Sequence, residues 1–149
     1  MSNADPYRLQ RFVDAQAGGV FDAAMAELAA GAKRSHWMWF VFPQALGLGG
    51  SQMAQFYGVG SLAEARAYLA HPVLGPRLAQ GAEIATRSGV ASLGALFGSP
   101  DDMKFISSMT LFALAEPGTE GAVFREALER WNAGRLDGRT VTLLAPGEA

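Results

Sequence analysis

The sequence predicts an all-α fold: a compact multihelical single domain over residues 1–149, with buried central helices and no significant sheet. Helix start and stop signals recur along the chain, and the apolar residues between them repeat at three- and four-residue spacing. No segment reads as a convincing strand with a partner. Half of the 149 residues are hydrophobic and 17% are charged, a composition that favours a compact core over a disordered chain.

The first part of the chain predicts two helices separated by a glycine pair. Asp5 followed by Pro6 is typical of an N-cap and the first helical position. Gly18-Gly19 ends this helix, and Gly31 suits the left-handed cap of the second. The faces expected to be buried are Leu9, Phe12, Val13 and Gln16 in the first helix, and Phe21, Ala24, Met25 and Leu28 in the second.

The longest strongly apolar run covers residues 37–42. Its β propensity is high, but a strand needs a partner, so we expect a short buried helix capped by Ser35 and ended before Pro43. The glycine-rich stretch 47–51 predicts a loop before a helical turn over residues 52–57. This loop lacks the third glycine and the preceding strand of a dinucleotide fingerprint, and no P-loop sequence occurs.

Three further start signals divide the middle of the chain. Ser61 and Glu64 form a capping box that opens a helix to about Ala70. His71, next to a proline, begins the following helix, and Ser92 caps a short helical turn. The residues expected to be buried are Leu74, Leu78, Ala82 and Ala85 in the longer helix, and Leu93 and Phe97 in the turn.

The last part of the chain predicts a central helix and two later ones. Residues 99–102 are a strong start signal, because two carboxylates meet the positive end of the helix dipole, and the helix should run to about Ala115. Thr119 caps a later helix that ends at Gly134, and Asp137 begins a last short one. The central helix is expected to be buried because apolar residues cover nearly its whole circumference: Met103, Phe105, Ile106, Met109, Leu111, Phe112 and Leu114.

Composition excludes several classes of function. The chain has no cysteine, which rules out disulfides, thiolate metal sites and cysteine catalysis and fits a cytoplasmic protein. With two histidines and no suitable carboxylate spacing, we expect no metal site and no cofactor. The net charge of −2 and the lack of a basic block argue against nucleic acid as a partner. No signal peptide is evident and no apolar run could cross a membrane, so we expect no membrane partner.

The most specialised segment is 33–44, which holds two of the three tryptophans, one of the two histidines and a basic pair. Its aromatic residues either build the core or line a ligand pocket, and His36 is either a satisfied core group, a base or a ligand donor. Ser35 and His36 are neighbours, so in a helix their side chains diverge and do not form a nucleophile–base pair.

A polar stripe on the central helix has two interpretations. Asp101, Lys104, Ser107 and Ser108 share one side of this apolar helix. In the structural interpretation, Lys104 pairs with Asp101 or reaches water, and the hydroxyls bond to carbonyls one turn earlier. In the functional interpretation, the stripe faces the basic segment 33–36 across an electropositive, aromatic pocket.

Five sequence motifs resemble a family of small bacterial proteins of unknown function. They are Leu9-Gln10-Arg11-Phe12-Val13, Ser35-His36-Trp37-Met38-Trp39-Phe40, Phe42-Pro43-Gln44, Tyr68-Leu69-Ala70-His71-Pro72-Val73-Leu74-Gly75 and Ser107-Ser108-Met109-Thr110-Leu111-Phe112. The resemblance extends over nearly the whole chain and implies a multihelical fold with buried central helices. Genome annotation sometimes names this family calpastatin, a label we do not transfer because that inhibitor is largely disordered and polar.

These features lead to one main hypothesis and two alternatives. We expect a pocket near segment 33–39 that binds a small anionic or aromatic, nucleotide-like metabolite. Whether such a pocket also supports catalysis, with His36 as the base of a hydrolase or transferase, stays open at this point. The competing hypothesis is a non-enzymatic regulatory or protein-interaction module, a homodimer in which the same motifs are structural. The candidate ligand-binding residues are Lys33, His36, Trp37, Trp39, Gln44, Lys104 and Ser108.

Overall fold

The computed structural model describes residues 4–144. Within this range the chain forms ten α-helices and one 3-10 turn and contains no strand, which confirms the all-α prediction. In chain order the helices are α1 (Gln10–Gln16), α2 (Val20–Ala29), α3 (Met38–Val41), α4 (Gln52–Tyr57), α5 (Leu62–Ala70), α6 (Leu74–Arg87), α7 (Leu93–Phe97), α8 (Asp101–Ala115), α9 (Ala122–Asn132) and α10 (Gly138–Leu144), with the 3-10 turn at Thr119–Gly121. None of these helices is long and apolar enough to span a membrane.

Most of the predicted caps are present. Ser61 Oγ accepts a hydrogen bond from the Glu64 amide, and Ser92 Oγ accepts one from the Ala95 amide. His71 Nδ1 caps α6 by accepting from the backbone amides of residues 73 and 74. Asp137 Oδ2 accepts from the amide of residue 140 and so opens α10. These local signals determine where most helices begin, because each satisfies amides that the first helical turn leaves unbonded.

Three predicted helix starts are wrong in detail. The first helix begins at Gln10, because the Asp5 carboxylate accepts from the amides of residues 9 and 10 and closes a turn before the helix. The short helix α3 is not capped by Ser35, since its N-cap is Trp37 and makes no side-chain bond. Thr119 begins a 3-10 turn, and α9 follows from Gly121 without a side-chain cap.

The central position of α8 is confirmed, with one exception at its start. The helix packs against α5, α7, α9 and α10, and nine of its residues are buried. Met103 was expected to be buried but is 67% exposed. It lies in the first turn of α8 and lines the cavity described below. The apolar residues of α8 therefore pack into the core along most of the helix, but in its first turn an apolar residue faces the cavity.

The apolar segment 37–42 enters the core between α6, α7 and α8. The ring of Phe42 lies 5.0 Å from that of Phe105 and 5.8 Å from that of Phe97, both edge to face. A Cβ at Gly81 on α6 would lie 2.9 Å from Phe42 Cζ, so only glycine lets the ring pack this closely. Trp37 is 2% exposed and packs against both Phe42, at 6.1 Å, and Phe97, at 6.4 Å. This packing fixes the backbone of α3 and the direction in which the chain leaves it.

Candidate functional site: a cavity between α3, α8 and α10

One cavity brings together residues from three separate parts of the chain. Its volume is about 340 Å³, near the lower end of the range for small-molecule sites. The walls come from α3 and the chain after it, from the glycine-rich loop and α4, and from the first turns of α8 and α10. The lining residues are Trp39, Gln44, Leu48, Gly49, Gly50, Ser51, Ala54, Pro100, Met103, Lys104, Ser107, Asp137 and Arg139.

Lys104 and Trp39 form the most polarised part of the cavity wall. Lys104 Nζ lies 4.8 Å from the centre of the Trp39 ring, a cation–π distance. The same nitrogen lies 3.5 Å from Asp101 Oδ1. The Lys104 side chain is 24% exposed, so its charge is only partly removed from water. A lysine held in this way presents a positive charge beside an aromatic ring.

Gln44 contributes an amide whose side chain has no hydrogen-bond partner among residues 4–144. Its backbone is fixed, because its carbonyl accepts from the Val59 amide at 2.9 Å and the Leu46 amide donates to the Val59 carbonyl at 2.8 Å. This two-residue bridge joins the end of α3 to the chain after α4. The side chain is half-buried and lines the cavity. It therefore offers two donors and an acceptor from a rigid position.

The opposite wall comes from the start of α10. Asp137 Oδ2 accepts from the Thr140 amide at 2.9 Å, from Thr140 Oγ1 at 2.6 Å and from Ser107 Oγ at 3.4 Å. Arg139 is exposed and donates from Nη2 to the Leu48 carbonyl at 3.3 Å. The arginine thus joins α10 to the glycine-rich loop and places a second cation at the cavity. The charge of Asp137 is spread over several donors.

The segment before α3 is organised by a different residue, Glu27 of α2. Its carboxylate accepts from the amides of Arg34 and Ser35 at 2.8 and 3.0 Å, from Ser35 Oγ at 2.5 Å and from Trp37 Nε1 at 2.8 Å. Burial by itself would raise the pKa of Glu27, but the bonds from Ser35, Arg34 and Trp37 lower it to about 2. The Ser35 hydroxyl is therefore engaged with Glu27, which explains why it does not cap α3.

The cavity does not contain all the residues expected at the site. It is lined by Trp39, Gln44 and Lys104 but not by the other four candidates. Lys33 does not line the cavity. Its Nζ lies 2.7 Å from Oδ2 of Asp101, which does not line the cavity either. His36 is exposed and does not line the cavity, and Trp37 is in the core. The binding role of each candidate stays a prediction.

Ser108 is fully buried, and its Oγ has no hydrogen-bond partner within the described range 4–144. The structural interpretation of the polar stripe holds for its neighbour, because Ser107 Oγ donates to the Met103 carbonyl one turn earlier at 3.1 Å. It also holds for Lys104, which pairs with Asp101. The functional interpretation is supported only in part. Asp101 of the stripe forms an ion pair with Lys33, but His36 does not line the cavity that Lys104 and Ser107 line.

Two lining residues carry chemistry that the sequence did not assign to the site. Asp137 was expected only as a helix start, and Arg139 carried no signal at all. Asp137 directly precedes α10 and Arg139 lies in its first turn, a part of the chain that is far from α3 in sequence and lines the same cavity only after folding. The glycine-rich stretch was expected only to be a loop, and it forms one wall.

Residues 4–144 contain no cluster of three His, Cys, Asp or Glu residues that could hold a metal ion. Cations, an aromatic ring and an amide equip the cavity for binding.

Comparison with known proteins places the chain beside others without an assigned activity. A family model described as "Protein of unknown function (DUF1810)" matches residues 6–144. The chain is similar to the conserved hypothetical protein Rv1873 from Mycobacterium tuberculosis, whose crystal structure is solved. The two are 50% identical over 95% of this chain and 99% of that one, with a TM-score of 0.90. No curated protein matches the chain.

Proposed function

The chain belongs to the DUF1810 family, and from the geometry of its cavity we propose that it is a cytosolic protein that binds a small anionic metabolite with an aromatic or apolar body. The proposal replaces the pocket expected near His36 with the cavity lined by Trp39, Gln44 and Lys104. It narrows the expected ligand class, an anionic or aromatic metabolite, to an anion with an aromatic or apolar body, because cations and an aromatic ring line the same cavity. The lack of cysteine supports the cytosolic location.

One observation carries this proposal. A lysine, an aromatic ring and an amide side chain that has no partner among the described residues meet in a single cavity of ligand size. Polar groups that are withdrawn from water are normally satisfied within the protein, so a fixed amide left open at a cavity suits a ligand. Lys104 supplies the charge, Trp39 an aromatic surface and Gln44 the orienting hydrogen bonds.

The charges at the cavity support an anion over a cation. Lys104 and Arg139 line it together with one carboxylate, that of Asp137. The ammonium of the lysine lies over an aromatic ring, and the arginine bonds to the glycine-rich loop. An anionic group placed between them would form charge-assisted hydrogen bonds, which are stronger than neutral ones.

The test is binding to purified protein by thermal shift, followed by calorimetry on any hit. The probes are AMP, adenosine, ribose 5-phosphate, inorganic phosphate and benzoate. Lys104→Met and Trp39→Leu should each weaken a hit by about tenfold or more, which corresponds to about 1.4 kcal/mol of binding energy. Stabilisation of the folded protein by a bound ligand makes the melting temperature rise with probe concentration.

His36→Ala is the matched control, because His36 is exposed and lies outside the cavity. It should leave binding unchanged. A hit that is lost in His36→Ala and kept in Lys104→Met would return the site to segment 33–36 and contradict the cavity assignment. If none of the five probes binds to the wild-type protein, this ligand class is wrong.

The interaction-module alternative has less support from the described residues. An exposed cluster of tryptophans would favour such a module, because apolar surface that is left open to water is typical of an interface. Trp37 is buried, and Trp39 and Trp131 are half-buried. The molecular mass of the protein in solution is the direct measurement of the homodimer that this alternative predicts.

A further inference from the structure

Two lysines share one carboxylate at the edge of the cavity, and they do so unequally. Lys33 Nζ lies 2.7 Å from Asp101 Oδ2, whereas Lys104 Nζ lies 3.5 Å from Asp101 Oδ1. The Lys33 side chain is 7% exposed and that of Asp101 is 20% exposed. Neither residue lines the cavity, but Lys104 does. The shorter and more buried contact therefore belongs to the lysine that a ligand does not meet.

From this arrangement we infer that the cavity selects a ligand with a single negative charge, a small carboxylate. We further infer that Lys33 sets this selectivity from outside the cavity by neutralising Asp101. The inference rests on the proposed function and narrows its ligand class. It makes Lys33 a positioning residue that acts through Asp101 on Lys104.

Lys33 is held in place by more than its ion pair. Its ammonium lies 5.2 Å from the centre of the Trp37 ring, and its backbone amide donates to the Leu96 carbonyl at 2.8 Å. Trp37 in turn is fixed by Glu27. Lys33 is therefore pre-oriented on Asp101, and little side-chain entropy is lost in keeping the pair together. The Coulomb attraction increases as the distance shortens and the surroundings become less polar. The Asp101 carboxylate therefore interacts more strongly with Lys33 than with Lys104.

The remaining charges leave one uncompensated cation. With Asp101 matched by Lys33, Lys104 keeps its positive charge beside Trp39. On the opposite wall, Arg139 and Asp137 carry opposite charges. The formal charge of this whole group of five residues is therefore plus one. A monoanion matches it, a neutral ligand leaves the lysine unmatched, and a dianion brings an excess negative charge into a cavity of low polarity.

Removal of Lys33 and removal of the Asp101 charge should shift the preferred ligand charge in opposite directions. Without Lys33, Asp101 pairs with Lys104, the net charge falls to zero, and the attraction for an anion is lost. Without the charge of Asp101, both lysines are uncompensated, and the net charge rises to plus two. When both are removed together, the net charge returns to plus one. A purely structural role for the Lys33 pair predicts no such recovery.

The experiment measures dissociation constants by calorimetry for three probes on one ring: benzamide, benzoate and phenyl phosphate. It is done at about pH 8, where a phosphate monoester with a second pKa of about 6 is a dianion. The proteins are wild type, Lys33→Met, Asp101→Asn and the double variant Lys33→Met/Asp101→Asn. Circular dichroism and melting curves establish that each is folded.

Wild type should bind benzoate about tenfold more tightly than either other probe, because only the monoanion matches the single uncompensated charge; tenfold corresponds to about 1.4 kcal/mol. Lys33→Met should lose that tenfold. Asp101→Asn should prefer phenyl phosphate to benzoate. The double variant should regain the benzoate preference of wild type to within about threefold, because ion-pair effects at coupled sites are not additive.

Each outcome bears on a different claim. If the wild-type protein binds AMP but not benzoate, the proposed function stands and this inference is overturned. If benzoate binds and its preference over the other probes is the same in all four proteins, the inference is likewise overturned. If Lys33→Met does not fold, Asp101→Asn decides, because its preference must reverse towards phenyl phosphate. Failure of every probe and of AMP overturns the proposed function together with the inference.

Discussion

The segment 33–37 and the cavity wall formed by Trp39, Gln44 and Lys104 are equally rich in polar and aromatic groups, but they differ in how those groups are satisfied. In the first region, one carboxylate, that of Glu27, accepts four hydrogen bonds from the segment. In the second, an amide side chain has no partner among the described residues, and a lysine shares its carboxylate with another lysine. Saturated hydrogen bonding indicates a structural role, whereas open bonding capacity at a cavity indicates a binding role.

The largest effect expected from this comparison is on stability. Glu27→Ala should lower the free energy of unfolding by about 2 to 3 kcal/mol, because it removes hydrogen bonds to a charged group and leaves the buried Trp37 indole without an acceptor. Urea denaturation measures the loss. The matched control in the other region is Lys104→Met, which should cost less than about 1 kcal/mol because its ion pair is partly exposed. Equal losses in the two variants would contradict the distinction between the regions.

A second prediction uses acid. The folded-state pKa of Glu27 is about 2, below its ordinary value of 4.5. A depressed carboxyl pKa contributes stability above the unfolded-state pKa, and this contribution is lost as the pH falls towards the folded-state pKa. The free energy of unfolding should therefore decrease between about pH 4.5 and pH 2. Glu27→Gln should show a shallower decrease over this range, measured by denaturation at each pH. An identical slope in both proteins would show that Glu27 does not titrate as described.

The smallest effect concerns Ser108, which is unsatisfied like Gln44 but lies in the core. Because its Oγ is buried with no partner in the part of the chain that the structure describes, Ser108→Ala removes a desolvated hydroxyl at no cost in hydrogen bonds. We expect stability to stay equal or to rise by about 1 kcal/mol, with unchanged ligand binding. A loss of binding in a folded Ser108→Ala would place this hydroxyl at the site and show that open bonding capacity indicates a binding role even without a cavity.

The sequence predicted helices better than it predicted the site. The bounds of α4 and α8 follow from local signals, such as the carboxylates at 101 and 102, because a cap satisfies amides only a few residues away. Ser35 was placed as a cap by the same logic, and the prediction was wrong because its hydroxyl donates a hydrogen bond to a carboxylate eight residues earlier in the chain. Local rules do not account for partners on another helix.

The burial of individual residues shows the same limit. Ser107 and Ser108 are neighbours on α8, but Ser107 bonds to a carbonyl, whereas Ser108 has no partner among residues 4–144. Met103 has the apolar character of its helix and is exposed at the cavity. Which neighbour is satisfied depends on the helices packed against each face, and this information is not present in the spacing of residues along α8.

The all-α class, most helix boundaries and the central role of α8 could be predicted from the amino-acid sequence, because propensity, capping and apolar periodicity act over a few residues. Which residues share the cavity became known only from the folded arrangement of the helices. In the folded protein Trp39 lines the cavity and Trp37 does not. Asp137 and Arg139, at the start of α10, also line it, whereas Lys33 lies outside it and pairs with Asp101. These placements depend on the packing of helices that are distant in sequence, and such packing has no local signature.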